Sequence, residues 1–238
     1  MSRLSHSATP SRRRFLANLA TGAAGLAGLG SLFHTPGAFA DELFRTPELT
    51  EGPFYPDHLP LDTDNDLIIL GDGLTPAVGE ITHLTGRLLD VRGNPLRNMT
   101  VEIWQCDANE VYHHTADLST TKKKPDRNFQ GFGRFTTGST GEYRFRTIKP
   151  VPYPGRPAPH IHVKVKRGDR EVLTTQINIA GHPGNPVDGV VRSAGGLIER
   201  ELTMAEWKRV EGSKLGEWAA RHDLILGRTP DEGAGTRS

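Results

Sequence analysis

Apolar and polar positions alternate with a period of two over several short stretches of this chain, the mark of half-buried strands. The signal begins near Ile81 and covers residues 85–91 and 99–105, which flank Arg92-Gly93-Asn94-Pro95 and read as two strands joined by a short hairpin-like connection. Within Thr100-Val101-Glu102-Ile103-Trp104-Gln105, Val101 and Ile103 share one face and the larger polar or aromatic groups the other. Residues 142–148 set Tyr143, Phe145 and Thr147 against Glu142, Arg144 and Arg146, and residues 160–166 and 172–179 continue the series. One helical period, over 204–220, has Trp207, Leu215 and Trp218 as apolar anchors and Gly212 and Gly216 to weaken it. The pattern predicts an all-β fold: an antiparallel β-sandwich or partly closed barrel with long loops, an N-terminal arm and at most one or two short helices.

Chemistry concentrates in Pro152-Tyr153-Pro154-Gly155-Arg156-Pro157-Ala158-Pro159-His160-Ile161-His162. Prolines and a glycine make a stiff, turning approach to a strand that opens with two imidazoles spaced i, i+2. Alternate side chains share a face, so both histidines point one way while Ile161, Val163 and Val165 pack the other. Histidine is the commonest metal ligand, and two on one rigid face form half of a coordination sphere, here read as half of an iron site. A lone His-x-His also arises as two surface histidines or one core histidine, so its surroundings decide.

Composition sets ordinary bounds. At 238 residues, 35% hydrophobic and 24% charged, the chain accommodates one sizeable core plus tails. The first forty residues read as an address. Ser11-Arg12-Arg13-Arg14-Phe15-Leu16 resembles a twin-arginine export signal, an Ala/Gly-rich, mildly apolar stretch follows, and Ala38-Phe39-Ala40 offers a cleavage site before Asp41. The expected location is periplasmic or secreted, with no stable membrane insertion after cleavage. The organisation read from this is a signal at 1–40, an arm at 41–80, a catalytic domain at 81–226 and a disordered tail at 227–238.

Cleavage changes the charge. Residues 1–40 hold Arg3, Arg12, Arg13 and Arg14 and no acid, so the 29 basic residues fall to 25 against 28 acidic ones, a net charge of −3. That argues against a nucleic-acid partner, which normally needs a basic face. Cys106 is the only cysteine, so no internal disulfide forms, and its place in an apparent strand predicts a buried, inert thiol.

The acidic, proline-marked arm reads as extended, and its Asp62-to-Asp66 cluster as a solvated loop without the spacing of a calcium loop. The four tyrosines differ in context. Tyr143 fits the core face of a strand, Tyr55 belongs to the arm, and Tyr153 is fixed between two prolines near Arg156 and His160. Tyr112 precedes His113 and His114, which compete with it as ligand candidates, although consecutive residues of an extended chain point opposite ways.

Over residues 46–226 the sequence resembles the intradiol ring-cleavage dioxygenases, non-haem ferric enzymes that open catechols between the two hydroxyls. The marks are Thr50-Glu51-Gly52-Pro53-Phe54-Tyr55, then Val101-Glu102-Ile103-Trp104-Gln105-Cys106-Asp107-Ala108 with Tyr112 after it, then Phe129-Gln130-Gly131-Phe132-Gly133-Arg134-Phe135. They continue with Tyr143-Arg144-Phe145-Arg146-Thr147-Ile148-Lys149-Pro150, the stretch at 152–162, and Thr175-Gln176.

The resemblance implies Tyr112, Tyr153, His160 and His162 as ligands of a non-haem Fe(III), with Tyr153 the one displaced by substrate. Phenolate is a hard anionic donor, and a bound cation favours the deprotonated form of its ligand, so tyrosine with a free pKa of about 10 can bind as tyrosinate. Extradiol enzymes instead hold Fe(II) on two histidines and a carboxylate, and no carboxylate follows His162 at an obvious third-ligand spacing. By resemblance, catechol binds as its dianion, the released tyrosinate and hydroxide take its protons, and O2 cleaves the ring to a cis,cis-muconate-type diacid. Arg156 matches the arginine that stabilises charge on the ring carbon, and Gln176 a hydrogen-bonding group beside the substrate.

The chain departs from the protocatechuate members in its compressed Tyr153-Pro154-Gly155-Arg156, which lacks a longer tryptophan-bearing loop. It looks like an exported, short-loop branch with a more open pocket. The partners expected are a catechol-type substrate and O2, with a homo-oligomer left open. The alternatives are an exported β-sandwich binding module without catalysis, or an iron or copper protein of different reaction.

Overall fold

Among the residues described by a computed structural model, 42–60, 62–70 and 73–227, ten strands form two five-stranded sheets. In chain order they are β1 (Ile81–Asp90), β2 (Thr100–Trp104), β3 (Phe132–Thr136), β4 (Glu142–Ile148), β5 (His160–Arg167), β6 (Arg170–Ile179), β7 (Met204–Ala205), β8 (Trp207–Arg209), β9 (Trp218–Arg221) and β10 (Leu224–Leu226). The export signal read at 1–40 and the tail beyond Gly227 lie outside the described residues.

The all-β sandwich stands, with three corrections. The sheets are mixed, not purely antiparallel: β9 and β10 run parallel to β1 along one of its edges, β4 pairs antiparallel on the other, and β7 runs parallel to β6. Two sheets are present and no closed barrel. The passage between β9 and β10 fixes one position sterically, since a Cβ on Gly86 would fall 1.8 Å from the His222 carbonyl oxygen.

The second correction concerns β1 and β2, which are not hairpin partners. Asp90 does close the turn, its carboxylate accepting from the Arg92 and Asn94 amides at 2.9 Å each, with Gly93 at φ 82°. The chain then leaves for the other sheet, where β2 lies between β3 and β5. Alternation tells which face a residue takes and is silent about which strand it pairs with.

Third, the helix expected over 204–220 is instead three strands, and β8 pairs antiparallel with β9. Gly212 and Gly216 sit at φ 75° and 65°, left-handed positions that an α-helix interior does not provide. Among the described residues short α-helices occur elsewhere, at Thr115–Thr120, Gly189–Ser193 and Leu197–Glu201, with a 3-10 helix at Asn185–Val187. Side chains cap the first two: the His114 ring accepts from Ala116 N, and the Asp188 carboxylate accepts from Val190 N and Val191 N.

The core lies between the sheets. Leu84 and Leu88 of β1 and Tyr143 and Phe145 of β4 meet Val101 and Ile103 of β2, Ile161, Val163 and Val165 of β5, and Ile177 of β6. Each fully buried aliphatic side chain contributes roughly 1.5–3 kcal/mol. This apolar face of β5 anchors the strand, so its opposite face, with His160, His162 and Lys164, is held rigidly. The arm covers that opposite face, Leu49 N donating to Thr174 O at 2.9 Å and Glu51 pairing with Lys164, while its later residues Leu67 and Ile68 are fully buried in the core between the sheets. Asp66, expected in a solvated loop, pairs with Arg146 at 2.9 Å.

Candidate metal centre

Registers place Phe132, Trp104, His162 and Gln176 side by side across β3, β2, β5 and β6. Directly paired residues share a face, so this row forms the floor of the site. The Trp104 indole stacks on the His162 ring, with centroids 4.7 Å apart and planes 10° from parallel. It thereby fixes the imidazole orientation.

The donor atoms converge. His160 Nε2 lies 3.2 Å from His162 Nε2, which in turn lies 3.1 Å from the Tyr112 hydroxyl. His160 Nδ1 donates to Ala158 O at 2.7 Å, so its Nε2 carries a bare lone pair. Both imidazoles are held neutral: burial, with Arg156 nearby, pushes His160 down to about 3, and burial with the adjoining His160 pushes His162 well down too. Ligands spread at right angles around a metal at about 2.1 Å stand about 3 Å apart, which matches these separations. His162 Nδ1 is buried with no hydrogen-bond partner among the described residues, so that ring is not spent on a protein network.

Tyr153 borders the cluster, its ring 5.3 Å from Tyr112 edge-on and 5.5 Å from His160. Burial raises the Tyr112 phenol well above its ordinary value, the neighbouring Tyr153 adding to it. Burial also raises Tyr153, while the adjoining Tyr112 and Arg156 pull the other way. Neutral in the protein alone, both phenols need a cation to ionise. Among the described residues no third histidine, cysteine or carboxylate joins the histidine pair, so phenols are the anionic donors at hand. The residues present therefore fit a hard, highly charged metal ion better than the two-histidine-one-carboxylate arrangement.

The turn that delivers Tyr153 is tight. Tyr153 N donates to Arg156 O at 3.2 Å and Arg156 N to Tyr153 O at 2.9 Å, closed by Gly155 at φ 84°. The compressed spacing seen in the sequence is this two-residue reversal. Arg156 then spans to two partners, donating from Nε to Asp188 at 3.0 Å and from Nη2 to the Gln176 amide oxygen at 2.7 Å. Gln176 Nε2 donates to Thr50 O at 3.1 Å, which ties the arm to the floor.

The arm roofs its own chain's site. A Cβ on Gly52 would stand 3.4 Å from His162 Cε1, and Phe54 stacks on Tyr112 at 4.8 Å between centroids. Two charged anchors hold it. Lys164 Nζ pairs with Glu51 and, at 3.2 Å, with Glu171, and lies 3.9 Å from the Tyr55 ring centre. The Tyr55 hydroxyl donates at 2.9 Å to Glu102, a buried carboxylate that also takes Arg134 and Lys166.

The structure thus brings Tyr112, Tyr153, His160, His162, Arg156 and Gln176 into one neighbourhood. His113 and His114 do not join: His113 packs its ring against Phe129, and His114 caps the Thr115–Thr120 helix. Cys106 is buried in the aromatic cluster, and burial with the adjacent Asp107 pushes its thiol up to about 12. Sequence reading missed Asp188, although an aspartate just ahead of Gly189-Val190-Val191 is a helix-capping pattern. It also missed Glu102 and Lys164 as anchors of the arm, because Arg134 lies 32 residues from Glu102 and Glu51 lies 113 from Lys164.

Comparison with known proteins points to one family. A family model described as "Dioxygenase" matches residues 50–226. The chain is 39% identical over 133 residues to the protocatechuate 3,4-dioxygenase beta chain of Burkholderia cepacia, covering 52% of this chain and 54% of that one. It is 30% identical over 200 residues to the hydroxyquinol 1,2-dioxygenase of Corynebacterium glutamicum, covering 74% and 61%. In structure it is similar, with a TM-score of 0.58 and 26% identity, to the dioxygenase domain of a dioxygenase carbohydrate-binding protein fusion from Streptomyces sp. SirexAA-E, covering 77% of this chain and 99% of that one. The chain matches little more than half the length of these curated relatives.

Proposed function

The chain belongs to the intradiol ring-cleavage dioxygenase family, and from that membership we propose that it opens a catechol-type ring between its two hydroxyls, consuming O2 and releasing a cis,cis-muconate-type diacid. The observation that carries the reading is the meeting of His162 Nε2 with His160 Nε2 at 3.2 Å and with the Tyr112 hydroxyl at 3.1 Å, with Tyr153 alongside. Tyr112, Tyr153, His160 and His162 would hold a non-haem Fe(III), whose contribution is to bind the substrate's two oxygens and activate its ring toward O2.

The chain's own residues do the rest. Tyr153, on a short turn beside the cluster, would take one of the catechol protons on its phenolate oxygen. Arg156, permanently charged and held in place, stabilises negative charge on the ring. Gln176 orients that guanidinium from the other side. Phe54 and Trp104 hold Tyr112 and His162 in place, and the Gly52–Phe54 roof keeps water from the ring. A cavity of about 360 Å³ lies beside Tyr112, walled by Phe54, Pro56, Leu59, Trp104 and Phe132; it adjoins the cluster through Tyr112 and Trp104, and His160, His162, Tyr153 and Arg156 are not in its walls. Export through a twin-arginine signal at residues 1–40 belongs to the same proposal, since that route carries proteins folded with their metal.

Incubating the iron-loaded protein with a panel of catechols and identifying products tests the reaction. A muconate-type diacid with both oxygen atoms from O2 is expected. A hydroxymuconic semialdehyde, the product of cleavage beside the diol, or no ring opening at all, would overturn it.

A further inference from the structure

On that reading of the site, we propose that Asp188 is the positioning residue for Arg156: one buried carboxylate sets the plane of the guanidinium and holds Ala158, the residue whose carbonyl takes the His160 ring. Asp188 is fully buried. Its Oδ2 accepts from Arg156 Nε at 3.0 Å and from Ala158 N at 3.2 Å, and its Oδ1 accepts from Val190 N at 2.9 Å and Val191 N at 3.1 Å. A carboxylate offers about four acceptor sites, so this one is fully used.

The consequences follow from rigidity. A guanidinium is a flat fork, and Arg156 is held at two different nitrogens, by Asp188 at Nε and by Gln176 at Nη2. Two anchors on one rigid plane leave it a single orientation. The helix Gly189–Ser193 in turn pins the carboxylate through two backbone amides. The third link runs through Ala158, whose N–H goes to Asp188 and whose C=O takes His160 Nδ1–H at 2.7 Å. A single side chain therefore holds both the arginine and the N–H of Ala158, the residue whose carbonyl fixes the tautomer of a ligand histidine. Asp188 donates nothing to the cluster and takes no part in the chemistry itself. Removing it leaves Arg156 anchored only by a neutral amide and free to swing.

The test pairs two substitutions with a cycle in the full, metal-loaded chain. Asp188→Ser keeps a helix-capping oxygen while withdrawing the acceptor from Arg156. Asp188→Asn keeps the shape and sets an amide N–H or a neutral oxygen where the carboxylate took Arg156 and Ala158. Each is made in the wild type and in Arg156→Gln, with kcat and KM measured on catechol. Both variants are expected to lower kcat about 10- to 100-fold, with KM within about threefold, and to cost less than twofold when Arg156→Gln is already present. A second readout needs no turnover: in 15N-arginine-labelled protein loaded with diamagnetic Ga(III), the Arg156 Nε–H proton is expected to exchange slowly in the wild type and quickly in Asp188→Ser.

Equal fold losses in both backgrounds, or an equally protected Nε–H in Asp188→Ser, would overturn the proposal. If the wild type itself opens no ring, the reaction is misread, and the exchange measurement still decides whether Asp188 holds Arg156.

Discussion

Replacing Glu102 by Gln removes one negative charge and almost no volume from the floor beneath the arm. The Glu102 side chain is 1% exposed, and its oxygens take Arg134 Nε at 3.0 Å and Nη2 at 2.8 Å, Lys166 Nζ at 2.9 Å and the Tyr55 hydroxyl at 2.9 Å. Burial pushes this carboxyl up, but hydrogen bonds from Lys166, Arg134 and Tyr55 outweigh it and leave the group below its ordinary range. Hydrogen bonds to a charged group contribute about 1.5–3 kcal/mol each, and losing one partner of a fully buried pair costs about 3–5 kcal/mol. Here Arg134 and Lys166 are 37% and 23% exposed, so water recovers part of their solvation. The expected net loss is therefore about 2–3 kcal/mol, or about 4–12 °C in Tm for a domain of this size.

The pH dependence gives the sharper check. A group with a lowered folded pKa contributes its stability above the unfolded value, about 4.3 for glutamate, and loses it as pH falls through the folded value. The Tm gap between wild type and Glu102→Gln should be full at pH 7 and narrow steadily below about pH 4. Calorimetry at several pH values measures it. A gap under 1 °C at pH 7, or one that persists unchanged at low pH, would show that the carboxylate's charge is not what secures this floor. Since Tyr55 hangs from the same carboxylate, KM for catechol should rise together with the loss of stability.

Three further outcomes follow from particular residues. Gly155→Ala should cost about 1–2 kcal/mol, because φ 84° is a left-handed position, while nothing lies within 4 Å of the added Cβ; an unchanged melting temperature would show that the Tyr153 turn relaxes freely. Cys106 should resist a thiol reagent in the native protein and react only on unfolding, as its burial and raised thiol pKa require; rapid native labelling would contradict its place in the aromatic cluster. Lys164→Met should loosen the arm at Glu51 and raise KM several-fold at nearly constant kcat, read by steady-state kinetics; an unchanged KM would mean that the Leu49 backbone bond, the Gln176 side-chain amide and the Tyr55–Glu102 bond hold the roof without it.

Much of the site was readable because its chemistry is local. His160 and His162 share a strand face by simple alternation, and the same alternation in Glu142–Ile148 gave that strand its observed limits. Strand pairing was less legible. The turn at Arg92–Pro95 has hairpin residues, yet its two strands belong to different sheets, a matter decided by which apolar faces meet across the core. The segment 204–220 misled because Trp207, Leu215 and Trp218 fall at helix-like intervals, whereas two glycines at positive φ turn it into a β8–β9 hairpin. Asp188 carries a helix-capping signature but none of its contact with Arg156, and Glu102 carries no local signature at all. Their weight comes from burial beside charged partners distant in sequence, and that is a property of packing.

The central claim is that Tyr112 and Tyr153 join His160 and His162 on one ferric ion. The direct measurement is the visible spectrum of the purified protein loaded with Fe(III), taken with and without catechol under anaerobic conditions. Tyrosinate-to-iron charge transfer should colour the protein wine-red, Tyr153→Phe should shift and weaken that band, and catechol should shift it to longer wavelength. A colourless iron-loaded protein, or a band indifferent to loss of both tyrosines, would contradict the account.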